Sequence, residues 1–255
     1  MNAKLTESHV EEAALGWLED LGYTVLHGPD ISPDSPNPER ASYSDVLLMD
    51  RFREALRKLN PHLPAETLEA VLRKVQQTEY PDLFEENRWL HRILVEGLDV
   101  ETTREDGGIG GDKAWLIDFD NPDNNDWLAL NQYTVIEHQN NRRPDVVLFI
   151  NGLPLGVLEL KNTGDKSATL ERAFNQLQTY KQQIPSLFRT NAVLVTTDGP
   201  QARIGSLTAD SERFMPWRTV DGVEIAPKGR PELGTLIAPV SLARKWPVLA
   251  WKVRP

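Results

Sequence analysis

The chain has 255 residues, 40% of them hydrophobic, enough for one large α/β domain or two small ones. It contains no cysteine, which excludes disulfides, thiolate metal sites and a cysteine nucleophile and fits a reducing cytoplasm. No apolar run approaches the ~20 residues of a membrane span and there is no signal-peptide core, so the expectation is a soluble, cytoplasmic protein without a membrane partner. A formal charge of −10 is unlike a free-standing nucleic-acid binder, but the charge is unevenly spread. Residues 1–140 carry 12 Lys and Arg against 28 Asp and Glu, whereas 141–255 carry 16 against 10.

Thr6 can cap a helix from Glu7 to Asp20, with Val10, Ala14, Trp17, Leu18 and Leu21 as its buried stripe. Gly22-Tyr23 ends it, and residues 23–27 read as a short strand. Four prolines between Gly28 and Ser44 forbid regular structure there. Residues 45–97 are expected to form three helices. The first is capped by Ser44 or Asp45, Pro61 and Pro64 precede the second over Ala65–Thr78, and the third covers Pro81–Gly97. From Leu98 the period shifts towards two, predicting strands at Val100–Thr103, Lys113–Phe119, Trp127–Leu130 and Tyr133–His138. Asp118, Asp120, Asp123 and Asp126 lack the glycine and terminal glutamate of a calcium loop and read as turn-forming acids. His138 reads as a structural hydrogen-bonder.

Residues 143–161 carry the chemistry. Two apolar runs, Val146–Ile150 and Leu155–Leu160, flank Asn151-Gly152, a strong hairpin signal. Alternation along a strand puts Glu159 and Lys161 on one face. A two-residue loop would set Asp145 opposite Leu158, on the wrong face. A three-residue loop pairing Ile150 with Pro154, or an equivalent bulge near Asp145, would set it opposite Glu159, and that arrangement is expected. Asp145 and Glu159 could then hold Mg²⁺ together with the Leu160 carbonyl. Such an ion acidifies water and screens charge on a phosphodiester, and Lys161 would orient the water or steady the transition state. The plainer alternative is a surface hairpin with scattered charges.

Pro144-Asp145 followed by Glu159-Leu160-Lys161 resembles the PD-(D/E)xK nuclease motif. The wider context, Asn141 to Asp145 and Glu159 to Asn162, resembles the N-terminal nuclease domain of the R (restriction) subunit of type I restriction-modification enzymes. The Gln-x-x-x-Tyr motif of that family matches Gln176 and Tyr180, one helical turn apart on a helix expected over 167–183. The resemblance implies an α/β fold, with a restriction-endonuclease-like mixed β-sheet flanked by helices and a helical insert (45–97) after the first strand. It also implies Mg²⁺-dependent cleavage of double-stranded DNA, with Asp145 and Glu159 on the metal and Lys161, Gln176 and Tyr180 in catalytic or supporting roles. Related nucleases place a glutamate on the first helix about three turns before a Gly-Tyr, which points to Glu11 as a further metal ligand, with a solvated helix glutamate as the plainer alternative. Methyltransferase and specificity subunits would be partners of a full-length protein. A catalytically idle DNA-binding or assembly module is the competing reading, favoured by the net acidity.

Ala192–Thr197 and Gln201–Ser206 read as further strands, and Arg189, Arg203, Arg213 and Arg218 could touch phosphates, although scattered surface arginines are the commoner explanation. The nuclease domain is expected over 1–237, with an atypical tail at 238–255. No Gly-x-x-x-x-Gly-Lys-Ser/Thr phosphate loop occurs, so the family's ATP-driven motor is expected to be missing and this chain not to bind ATP.

Overall fold

The structure, a computed structural model, describes residues 7–103, 108–161, 170–219, 225–227, 229 and 231–237. The Thr6 cap, Asn162, the start of the 167–183 helix and the 238–255 tail lie outside the described residues.

Helix α1 (Glu7–Asp20) leads into β1 (Thr24–His27). Three helices follow, α2 (Met49–Leu59), α3 (Ala65–Gln76) and α4 (Leu83–Glu96). The ribbon β2 (Leu98–Thr103) and β3 (Ile109–Ala114) comes next, then β4 (Trp127–Asn131), the small hairpin β5 (Val135–Glu137) and β6 (Asn140–Arg142), and β7 (Val146–Ile150) with β8 (Leu153–Leu160). The chain continues through α5 (Leu170–Gln183), β9 (Val193–Thr197), β10 (Ala202–Gly205) and α6 (Glu232–Ile237). Six strands form one mixed sheet in the order β1-β4-β7-β8-β9-β10, with β1–β4 and β8–β9 parallel and the other pairs antiparallel. Helix α1 packs against β1, β4 and β8, and α5 against β8 and β9. This is a restriction-endonuclease-like fold with a helical insert after the first strand. Among the described residues no helix is long and apolar enough to cross a membrane.

Every residue of β7 and β8 is buried, which is why both read as nearly continuous apolar runs. The hairpin corrects one expectation. Asn151 (φ 53°) and Gly152 (φ 77°) form a two-residue loop, so Ile150 pairs with Leu153 and not with Pro154. The extra residue enters further along the ladder, where Phe149 faces Pro154 but Leu148 faces Gly156, leaving Leu155 as the bulge. Pro154 has no N–H to give the ladder, and the Leu155 carbonyl accepts instead from the Ala192 N–H at 2.7 Å. Val146 consequently pairs with Leu158, and Asp145 comes opposite Glu159 by a bulge three residues from it.

Two other expectations are corrected. The strand placed at Lys113–Phe119 is Ile109–Ala114 instead; beyond it Asn60 captures the Trp115 N–H at 2.7 Å and draws the chain out of the ribbon. Helix α2 starts at Met49 without a side-chain cap: the Leu48 N–H donates to the Gly152 carbonyl, and Asp45 accepts from the Ser42 N–H within its own loop. Asp118 does serve a turn, accepting from the Asp120 and Asn121 N–H groups and the Asn124 amide.

The hairpin turn is buried against α2. A Cβ on Gly152 would stand 2.4 Å from the Leu48 carbonyl oxygen, at a φ that disfavours any side chain. Gly152→Ala is therefore expected to cost about 2–4 kcal/mol, strain and overpacking together. Urea denaturation measures it, and a loss within about 0.5 kcal/mol of wild type would mean that the turn is not clamped as described.

Candidate active site

The C-terminal ends of β1, β4, β8 and β9 and the N-terminal end of β7 lie along one edge of the sheet. Asp145 stands just before β7, and its Oδ2 accepts from the Leu160 N–H at 2.7 Å, bringing the carboxylate to the end of β8. Glu159 is fully buried, and Lys161 Nζ donates to its Oε1 at 2.5 Å. The Lys161 N–H continues the ladder to the Thr197 carbonyl at 2.8 Å, so the lysine backbone is as fixed as the strand itself. A surface hairpin with scattered charges does not describe this arrangement.

Helix α5 brings Tyr180 to the same place. Burial chiefly, and the charges of Glu159 and Asp145 after it, raise its phenol well above the ordinary value of 10.0, partly opposed by the Gln176 hydrogen bond and by Arg142. Gln176 Nε2 donates to the phenol oxygen at 2.5 Å, one helical turn away as the spacing requires.

Glu11 lies on α1 with both carboxylate oxygens engaged: Oε1 accepts from Asn131 Nδ2 at 2.7 Å and Oε2 from Gln132 Nε2 at 3.1 Å. The Gln132 N–H in turn donates to the Asp145 carbonyl at 3.0 Å. Asn131 Oδ1 also accepts from His27 Nδ1 at 2.9 Å. The sequence gives no sign of Asn131 and Gln132; only the left-handed φ of 54° at Gln132, visible in three dimensions, marks the place. His138 occupies the exposed turn between β5 and β6, at a φ of 53°.

Two of the arginines have structural work. Arg189 pairs with buried Glu86 at 2.6 Å and donates to the carbonyls of Val75, Gln76 and Gln77, and Arg203 pairs with Glu232 at 2.5 Å. Arg213 remains mostly exposed. Among the described residues no group of three or more His, Cys, Asp or Glu gathers as a ready metal cluster.

Fold and site together define a restriction-endonuclease-like α/β domain with acidic side chains and a lysine at one sheet edge. The chain belongs to the family described as the type I restriction enzyme R protein N terminus, whose model matches residues 4–213. It is 38% identical over 218 residues to the type I restriction enzyme HindI endonuclease subunit of Haemophilus influenzae, covering 85% of this chain and 21% of that protein. It is also 38% identical over 216 residues to the SauCOLORF180P endonuclease subunit of Staphylococcus aureus (81% of this chain, 20% of that protein). To the EcoprrI endonuclease subunit of Escherichia coli it is 28% identical over 220 residues (82% and 63%). The chain thus spans about a fifth of the length of the first two relatives.

The raised phenols set an alkaline limit on stability. Tyr133 is pushed up to about 12 by burial, and Tyr23 and Tyr180 are raised further, all from 10.0. Their contribution is complete below pH 10.0 and is lost as pH rises towards the folded-state values, because the unfolded chain releases its protons first. Tyr180→Phe should remove up to about 1.4 kcal/mol per pH unit from that decline. Urea midpoints compared on both sides of pH ~10 read it, and parallel declines in the two proteins would contradict a buried neutral phenol.

Proposed function

We propose that this chain is the Mg²⁺-dependent endonuclease domain of a type I restriction enzyme R subunit, hydrolysing phosphodiester bonds of double-stranded DNA. The observation that carries the reading is the Asp145 carboxylate reaching the Leu160 N–H beside the buried Glu159–Lys161 pair. The donor chemistry suits Mg²⁺, a hard ion that takes one or two carboxylates and keeps much of its water. Asp145 and Glu159 would hold it, with the Leu160 carbonyl as a further oxygen and Glu11 contributing charge from α1. A bound Mg²⁺ supplies a Lewis acid for the phosphate and acidifies water.

The chain's own residues do the rest. Lys161, a compact ammonium with three rotatable donors, orients the attacking water or steadies charge on the phosphorane. Gln176 donates to the Tyr180 oxygen, so the hydrogen of the neutral phenol is left to donate to a phosphate oxygen or a water. By kinship with the endonuclease subunits named above, the partners are double-stranded DNA and, in a longer R subunit, the methyltransferase and specificity subunits. ATP belongs to a motor region and not to the residues of this chain.

A second reading, a catalytically idle DNA-binding or assembly module, is favoured by the charge of −10 and by the ion pairs that occupy Arg189 and Arg203. Calorimetric Mg²⁺ titration and plasmid nicking on the same samples separate the two. Asp145→Ala should weaken Mg²⁺ binding at least about tenfold and abolish nicking. Lys161→Ala should keep binding while slowing nicking about 10²–10³-fold. Binding without nicking in wild type would establish the idle module, and binding unchanged in Asp145→Ala would sink the site.

A further inference from the structure

We propose that Gln132 is a positioning residue that couples Glu11 to Asp145, holding two carboxylates from different elements ready for one cation. The proposal rests on reading this sheet edge as a Mg²⁺ centre.

Three independent observations meet at this residue. First, its φ of 54° lies in the left-handed region, uncommon for any residue but glycine and concentrated where function over-determines the backbone. Asn131 is the last β4 residue paired with β7, opposite Val146, so Gln132 turns immediately where regular pairing stops. Second, its two polar ends serve two candidate ligand residues. The main-chain N–H donates to the Asp145 carbonyl at 3.0 Å, fixing the residue whose carboxylate crosses to β8. The side-chain amide donates to Glu11 Oε2 at 3.1 Å, while Asn131 holds the other oxygen at 2.7 Å. Third, the Asn131–Gln132 peptide is tightly backed. A Cβ on Gly28 would stand 2.7 Å from the Gln132 carbonyl oxygen and 2.8 Å from that of Asn131, so only glycine leaves room for this turn.

The chemistry of the donors explains the choice of residue. Amides fix the direction of a carboxylate without cancelling its charge, whereas a lysine or arginine there would neutralise it. Glu159 already carries an ammonium at 2.5 Å. Glu11, oriented by two neutral amides, brings to the site a negative charge that those contacts leave uncancelled. Gln132 therefore sets both the position of Asp145 and the aim of Glu11, and its removal is felt by a cation even though its side chain need not touch one.

Gln132→Gly tests this while respecting the backbone, since glycine accepts the same φ and keeps the N–H to Asp145. Its melting temperature should equal or exceed that of wild type, and its Mg²⁺ affinity by calorimetry should fall about tenfold, as for outer-shell partners of metal ligands. In a Glu11→Ala background the same substitution should change affinity by less than about twofold, because the side chain acts through Glu11. With the weakened binding of Asp145→Ala as a control, wild-type affinity in Gln132→Gly would overturn the proposal and leave the metal site standing. An equal loss with and without Glu11 would also overturn it, by reducing Gln132 to a general structural role. Binding unchanged in Asp145→Ala would overturn the metal centre itself, and the coupling with it.

Discussion

One extra residue, Leu155, determines whether this sheet edge has a site at all. Strand side chains alternate with a period of two, so a hairpin closed by Asn151-Gly152 with an uninterrupted ladder would place Asp145 opposite Leu158 and on the other face from Glu159. The bulge moves the register by one residue and brings the two carboxylates to the same place. It is secured from the segment leading into β9: Thr190 donates its hydroxyl to the Pro154 carbonyl at 2.7 Å, and Ala192 donates its N–H to the Leu155 carbonyl at 2.7 Å. A proline without a ladder donor, followed by a carbonyl claimed by Ala192 just before β9, makes the irregular arrangement the satisfied one.

The same hairpin must then bury a charge. Taking a carboxylate out of water costs several kcal/mol, and a buried partner repays it only with close geometry. Among the described residues the protein does this twice, with different cations. Glu86, 1% exposed, is held by Arg189, whose guanidinium also binds three carbonyls at the end of α3. Nothing can displace a fork so fully engaged without unmaking the helix end, so that pair is structural. Glu159 is held by a lysine at the open edge of the sheet. A single ammonium on a four-carbon stem can move aside for another cation, which an arginine fork in this setting could not do. The choice of Lys over Arg is what leaves the second buried pair open to exchange.

The sequence reveals the parts that rest on local rules. Continuous apolar runs mark β7, β8 and β9 because those strands are buried on both faces, and helix α1 follows from its apolar spacing. Glu159 and Lys161 share a face by alternation alone. What stays hidden depends on partners distant in the chain. The bulge needs Thr190 and Ala192 ahead of β9, the end of β3 is drawn off by Asn60 some 55 residues earlier, and the start of α2 is set by the Gly152 carbonyl rather than by its own cap. Nothing local marks Asn131 and Gln132, because an amide after a strand carries no motif. Their relation to Glu11 spans about 120 residues and exists only once α1 lies across the sheet edge.

The acidic first half of the chain also looks different in three dimensions. Helix α2 is anchored at the turn end of the hairpin, through Leu48 to Gly152 and through Arg51 to Glu39 and Asp126. A five-residue strand spans roughly 17 Å, about two Debye lengths at physiological salt. Carboxylates clustered around α2 are thus largely screened from anything meeting the Asp145 end, so the net charge of the whole chain is a poor guide to the field there. What a phosphate would meet is decided locally, by two carboxylates, one lysine and one amide-held glutamate. A cation adding two positive charges to that group changes its sign balance far more than the distant acids oppose it.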